Sequence, residues 1–411
     1  MQRIIKIIGM KQSIFKELES GNKNTIIKKN IITHYIYNGS STITDLSKEL
    51  DLSVPTVTKF IAEMSEEGYI KEFGKLETSG GRHPILYGLN PDSGYFIGVD
   101  INKFSVNIGI INFKGDTVRL KMNIPFKFDN KEESLEELID IINRFVSQSE
   151  VDKDKILNIC INISGRVNPE TGYSHSMFNF TEEPLADVLS ERIGLPVCID
   201  NDTRAMTYGE YIQGCAAGEK NILFVNVSWG LGIGIIIDGK IYSGKSGFSG
   251  EFGHISIFDN EILCHCGKKG CLETEASGSA LHRFLIQRID SGAASILSKR
   301  VKAVGKAVTL EEIIEAVNKE DQLCIELTEE VGKKLGRQVA GLINIFNPEL
   351  VIIGGTLSCT EDYILQPLKT AIRKYSLNLV SKDSEVKLSK LKERAGVVGA
   401  CMLARSRIFE N

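Results

Sequence analysis

Residues 262–273 read ILCHCGKKGCLE and place Cys264, Cys266 and Cys271 within eight positions, around two glycines and two lysines. Thiols this close either join as disulfides or share a cation, and which they do depends on the compartment and on a fourth ligand. The other six cysteines (Cys160, Cys198, Cys215, Cys324, Cys359 and Cys401) are scattered through apolar or mixed segments. That is the usage of reduced core thiols, so a reducing cytoplasm is the expected setting.

A chain of 411 residues exceeds what one core usually holds, so two or three domains are expected, each with a real interior. Hydrophobic residues make 42% and charged residues 25%, ordinary values for a globular protein, which excludes disordered and fibrous classes. The opening MQRIIKIIGMKQSIF has only a short apolar run, broken at Lys6, and no small-residue cleavage site. Neither a signal peptide nor a membrane span is expected, and no membrane partner. Net charge is −4, but residues 1–90 hold 12 Lys and Arg against 10 Asp and Glu, which points nucleic-acid contact toward the N-terminal part.

That part has the elements to make such contact. KNTIIKKNIITHYIYN (23–38) repeats apolar residues at helical spacing, Gly39 stops the helix and Ser41 is placed to cap a second, TITDLSKEL. DLSVPTVTKFIAEMSEEG then supplies a turn, Ser53 as N-cap, Pro55 in the first turn and an inward stripe of Val54, Val57, Ile61 and Met64. A β-hairpin around Gly80-Gly81 completes a winged helix-turn-helix. Ser53, Thr56, Thr58 and Lys59 sit near the N-terminal end of the third helix, where a recognition helix meets base edges and phosphates. Arg82 and His83 lie at the wing. Short three-helix units also serve as dimerisation modules, and Glu63, Glu66 and Glu67 at the helix end would repel phosphate. Helix order, cap, wing and cationic tip together favour DNA.

From Tyr95 the pattern becomes strand-like: YFIGVDI, SVNIGIINF and TVRLKMNIPF precede an amphipathic helix at EESLEELIDIINRFV and a strand at ILNICINIS. A second set follows, NILFVNVS, GIGIIIDG and KIYSG, and ELVIIGG comes after a long helix that includes EEVGKKLGRQVAGLINIF. Two such halves predict an α/β body duplicated around a central cleft. The expected parts are a helical extension over 1–22, the winged helix over 23–90, a first lobe over 94–215 and a second lobe with the cysteine cluster over 216–411.

EFGHISI, CHCGKKGCLE and IDNDTRA together resemble the ROK family of repressors, open reading frames and kinases, over nearly the whole chain. The resemblance implies a two-lobed actin-like, ribonuclease-H-like ATPase fold, with a winged helix in the repressor branch. It also implies a metal set of His254, ten positions before Cys264, with Cys264, Cys266 and Cys271. One imidazole and three thiolates suit structural Zn²⁺ with no position left for water. His265 is a conceivable substitute for His254, but adjacent residues in a turn tend to point apart. Sugar contacts carried over from matching positions are Asn201, Asp202, Glu251, His254 and Glu273, with Asn179 in SMFNF. Asn201 and Asp202 follow the strand PVCID, at the carboxyl end where open α/β sheets bind ligands. For Asp202 alone, capping the helix TRAMTYGEYI is the plainer role.

A ROK kinase would carry a DxGGT-like loop and a GTGxGxG-like loop, where glycine lets the backbone approach phosphates. The first here is Asp100-Ile101-Asn102-Lys103-Phe104-Ser105, without glycine, and the second, SWGLGIG, puts Trp229 in place of a small hydroxyl residue. ATP is therefore not expected as a cofactor. Asp202 would be the catalytic general base in a kinase and is otherwise a sugar ligand. The expected function is a sugar-responsive transcriptional repressor, a homodimer or homotetramer on operator DNA. A ROK sugar kinase with an accessory domain, and a sugar-sensing scaffold that binds protein, are the alternatives.

Overall fold

The computed structural model of the chain describes residues 22–76 and 83–409. The expected extension over 1–22, except Asn22, and the wing tip with Arg82 lie outside these residues.

Helix α1 (Lys23–Asn38) begins where the Asn22 side chain accepts the Thr25 N–H at 2.9 Å, and it ends at Gly39, whose φ of 73° disfavours any residue with a Cβ. Ser41 does not cap the next helix. It pairs with Tyr87 in the two-residue strand β1 (Ser41–Thr42), and Thr42 caps α2 (Ile43–Glu49). Ser53 caps α3 (Val54–Glu66), with Pro55 in its first turn as expected. The buried stripe of α3 is Val57, Phe60, Ile61 and Met64. Val54 is 46% exposed because it lies in the capped first turn, ahead of the stripe, and Phe60 takes the inward place. Strands β2 (Ile70–Lys75) and β3 (Ile85–Leu89) are antiparallel and form the wing, in the sheet order β1-β3-β2. Glu63 and Glu67, which threatened to repel phosphate, close on the buried Lys28 ammonium at 3.7 and 2.8 Å.

The chain divides into two compact units, one running to Asp202 and taking back the segment from Val397, the other Thr203–Gly396. The division falls earlier than the expected 215/216 boundary, and the last helix returns to the first unit. The first unit's sheet has the order β10-β7-β4-β5-β6. β4 (Tyr95–Ile101), β5 (Ser105–Asn112) and β6 (Thr117–Pro125) are antiparallel, while β7 (Ile156–Ile163) and β10 (Val197–Asn201) run parallel to β4. Helices α4 (Glu132–Ser147) and α5 (Leu185–Ile193) bury their apolar sides in one core with these strands. The short ribbon β8 (Val167–Asn168) and β9 (Tyr173–Ser174) precedes α5, and α6 (Asp202–Gln213) begins at the unit boundary.

In the second unit the order β13-β12-β11-β14-β15 repeats the same senses: β11 (Ile222–Val227), β12 (Leu231–Ile237) and β13 (Lys240–Ile241) antiparallel, β14 (Leu350–Gly354) and β15 (Glu385–Leu388) parallel. The duplication expected from the strand patterns is thus present in the topology. Its helices are α7 (Gly278–Asp290), α8 (Ser298–Val304), α9 (Leu310–Asn318), α10 (Gln322–Phe346), α11 (Asp362–Tyr375) and α12 (Asn378–Asp383).

Helix α13 (Ala395–Phe409) packs on the first unit's sheet so tightly that a Cβ on Gly98 of β4 would stand 2.4 Å from the Cys401 nitrogen. The winged helix is tied to this same unit. Gly68 O accepts from Asn90 Nδ2 and Ser93 Oγ at 2.7 and 2.8 Å, and the Tyr69 ring lies 6.0 Å from Phe113, which meets Phe96 and Phe409. Among the described residues no helix is long and apolar enough to cross a membrane.

Candidate functional site

The cysteine turn folds on itself through two isolated bridges, Leu263 with Lys269 and Ser256 with Cys271. They bring the His254, Cys264, Cys266 and Cys271 ligand atoms within 4.8 Å of one another. Cys264 Sγ is 3.6 Å from His254 Nδ1, and Cys266 Sγ is 3.6 Å from Cys271 Sγ. A tetrahedral zinc with ordinary bond lengths has S–S and N–S edges of about 3.5–3.8 Å, so the donor set fits that ion. Burial pushes the Cys264 thiol up to about 12, so a cation must displace its proton to bind there. His265 also reaches this region, with Nδ1 3.9 Å from Cys264 Sγ and 2.8 Å from Glu273 Oε1, and His254, His265 and Glu273 form a second possible donor group.

The expected sugar contacts gather within each unit. In the first, Asp202 opens α6 and accepts from Ser164 Oγ at 2.6 Å and from Asn201 Nδ2 at 3.0 Å, while Asn201 Nδ2 also donates to Gly165 O at 3.0 Å. Ser164, at the carboxyl end of β7, escaped the sequence reading although the strand-end rule that singled out Asn201 applies to it equally. Asn179 stands apart from this group and pairs with Asn130. In the second unit, His254 Nε2 lies 3.7 Å from Glu251 Oε2, on the ring side away from Cys264. Glu273 is buried, and its Oε2 accepts the Leu231 N–H at 2.9 Å.

The loops that would meet a triphosphate are engaged by their own chain. In the β11–β12 loop the Leu231 N–H goes to Glu273, Ser228 O accepts from Gly278 N at 2.8 Å, and Trp229 O accepts from Ser279 N at 3.0 Å. Ser228 Oγ donates to Asn226 Oδ1 and accepts the Thr356 N–H. Trp229 is 51% exposed, with its ring 5.4 Å from that of His282. The loop's glycines serve packing: a Cβ on Gly234 would fall 1.8 Å from Thr207 Oγ1, and one on Gly230 would fall 2.9 Å from Glu273 Oε2. In the first unit, Phe104 is 64% exposed and the Asn102-to-Ser105 turn is closed by an Asn102 N to Ser105 O bond at 2.8 Å. Asp100, buried beside Asn107, has its carboxyl pushed up to about 6 by burial, and the Asp202 charge adds to that shift.

On α3, Ser53, Thr58 and Lys59 are exposed and Thr56 is half-buried. Thr58 Oγ1 donates to Val54 O at 2.8 Å, Ser53 Oγ and Thr56 Oγ1 bond each other at 2.7 Å, and the Lys59 ammonium lies loosely over its own helix, 3.8 Å from Glu63. His83 is exposed, with Nδ1 3.3 Å from Leu76 O.

A winged helix followed by a duplicated α/β body defines a DNA-binding chain built on the actin-like, ribonuclease-H-like ATPase fold. Two family models match it, the ROK family over residues 96–407 and winged helix-turn-helix DNA-binding over 25–71. The chain belongs to the ROK family. It is 34% identical over 367 residues to the xylose repressor of Caldicellulosiruptor bescii, covering 88% of this chain and 91% of that one. A crystal structure of a ROK family transcriptional regulator, a homologue of the Escherichia coli MLC protein, matches with TM-score 0.78 and 28% identity over 94% of this chain and 96% of the other. A ROK glucokinase from Streptomyces griseus, solved with glucose and AMPPNP, is 29% identical with TM-score 0.66, covering 76% of this chain and all of that one.

Proposed function

We propose that this chain is a sugar-responsive transcriptional repressor that binds operator DNA as a homodimer or homotetramer, through paired winged helices. Ser53, Thr56, Thr58 and Lys59 of α3 would meet bases and phosphates, with Arg82 and His83 of the wing beside them. Operator DNA makes the cytoplasm its working compartment. The effector is a sugar or sugar phosphate held by hydroxyl contacts from Asn179, Asn201, Asp202, Glu251, His254 and Glu273. D-xylose is the first candidate, because the Caldicellulosiruptor bescii relative is a xylose repressor.

The observation that carries this reading is a winged helix on a ROK body whose second phosphate loop gives its Leu231 N–H to Glu273 and has its Ser228 and Trp229 carbonyls bonded by the Gly278 and Ser279 N–H groups. A triphosphate would have to take the Leu231 N–H from Glu273 and pass the exposed Trp229, so we assign the chain no phosphoryl transfer. Asp202, the general base of a kinase, is here a sugar ligand oriented by Ser164.

Zinc would be held by His254 Nδ1, Cys264, Cys266 and Cys271. Bound there, it fixes the His254 tautomer and braces the turn. His254 Nε2 then becomes a defined donor, directed toward Glu251.

The test is an electrophoretic shift assay of the full chain on DNA from upstream of its gene, with and without D-xylose, D-glucose and a panel of hexoses, amino sugars and pentoses. Specific binding released by one sugar supports the reading, and binding no better than to random competitor refutes it. Sustained ATP consumption with any sugar of the panel would favour the kinase.

A further inference from the structure

We infer that Asn130 fixes the polarity of Asn179, so that Asn179 presents its Nδ2 as a hydrogen-bond donor and selects an effector by an acceptor at one ring position. The inference rests on the reading above that Asn179 contacts a sugar.

Asn179 lies between β9 and α5 and follows Phe178, which takes a φ of 52°, a region bulky aromatic residues seldom enter. Phe178 is buried and meets Phe128 edge-on at 5.1 Å. The segment that carries Phe128 is itself anchored, because Phe126 N donates to Phe104 O at 3.2 Å and Phe128 N to Lys103 O at 3.1 Å. The loop that lacks a kinase's glycines is thus a foundation for the segment that ends in Asn130.

A side-chain amide can reverse its oxygen and nitrogen, but one group in this pair cannot reverse. The Asn179 backbone N–H is a donor only, and it faces the Asn130 side chain at 3.3 Å, so the atom it meets must be Oδ1. The other end of Asn130 is then its amino group, a donor only, which lies 2.6 Å from the Asn179 side chain. That partner must be Asn179 Oδ1. Both amides are therefore oriented by a backbone bond, and the Asn179 amino group is turned away from Asn130. A sugar hydroxyl there must act as acceptor and send its own proton elsewhere. Asn130 is a positioning residue, since it shapes recognition through Asn179.

Binding of D-xylose and its singly deoxygenated and singly deoxyfluorinated analogues to the full chain, measured by calorimetry, tests this. Fluorine retains weak acceptor character and hydrogen has none. In the unsubstituted protein one ring position should tolerate fluorine better than hydrogen. Asn130→Asp offers only acceptors, so Asn179 must turn its amino group inward and present Oδ1. Asn179→Asp presents an acceptor directly. Both variants should weaken D-xylose binding by roughly five- to tenfold and reverse the fluorine-over-hydrogen order at that one position. Melting temperature and operator affinity without sugar should not change in Asn130→Asp, because the Asn130 side chain is exposed.

An unchanged order in both variants, with binding weakened, overturns the assigned polarity and leaves the sugar reading intact. Full binding by Asn179→Ala overturns the inference at its root, while loss in Asp202→Ala would still support a sugar site. If D-xylose does not bind the unsubstituted protein and D-glucose and N-acetylglucosamine, tested the same way, do not bind either, the function reading falls and this inference with it.

Discussion

Burial and the nearby Asp202 charge hold the Asp100 carboxyl at about 6, above its ordinary 3.8. Between these values the folded chain keeps a proton that the unfolded chain has lost. Stability from this group is therefore highest below about pH 4 and declines as pH rises toward 6. Asp100→Asn removes the charge and keeps an acceptor for Asn107. It should gain roughly 1–3 kcal/mol over the parent near neutral pH and little near pH 4. Denaturant unfolding at both pH values checks this, and an equal gain at both would refute the assignment. The position of Asp100 at the end of a strand was legible in the sequence. Its protonation was not, because Asn107 and Asp202 reach it from β5 and α6. The Asn130–Asn179 pair was illegible for the same reason, since 49 residues separate two asparagines that each look like loop polarity.

Among the elements, the winged helix was the most readable, because each of its signals is local. Asn22, Thr42 and Ser53 cap their helices through bonds spanning three residues. Helix α13 was missed because AGVVGACMLARSRIF is apolar on almost every side and gives no face to detect. Strand β15 was missed because EVKL is short and half-buried. Two predictions belong here. Lys59→Ala should weaken operator binding about equally across sequences and reduce the salt dependence by about one phosphate contact, read from shift assays at several salt concentrations. Cys266→Ser should lower bound zinc well below one per chain, as measured by elemental analysis, and lower the melting temperature of the second unit. Its sugar response should weaken while the winged helix's own contacts with DNA persist in the full chain. An unchanged sugar response in a zinc-free variant would remove the bracing role.

At the scale of the whole molecule, a sugar that releases DNA must itself bind more weakly to the DNA-bound protein, by the same factor. Sugar titrations with and without saturating operator should therefore give midpoints that differ by the ratio of the operator affinities with and without sugar. Midpoints that do not move would exclude linkage between the two ligands. A physical link is available within the first unit, where Tyr69 at the base of the wing meets Phe113, and Phe113 meets Phe96 on β4 and Phe409 on α13. The duplicated sheet was legible from repeated strand patterns. The division of the chain was not, since a sequence read in order gives no sign that its last helix belongs with its first sheet.

That returning helix also orders events during synthesis. The β4 face with Gly98, shaped to take a helix at backbone contact, is translated long before Val397 and Cys401 exist to cover it. At ribosomal speeds of about 5–20 residues per second, the nascent chain leaves that face uncovered for roughly fifteen to sixty seconds. The DNA-reading domain has no such wait, because its helices and wing are complete by Leu89. A stalled or truncated product could therefore present a formed winged helix on an unfinished body, and quality control would have to recognise it by that uncovered sheet.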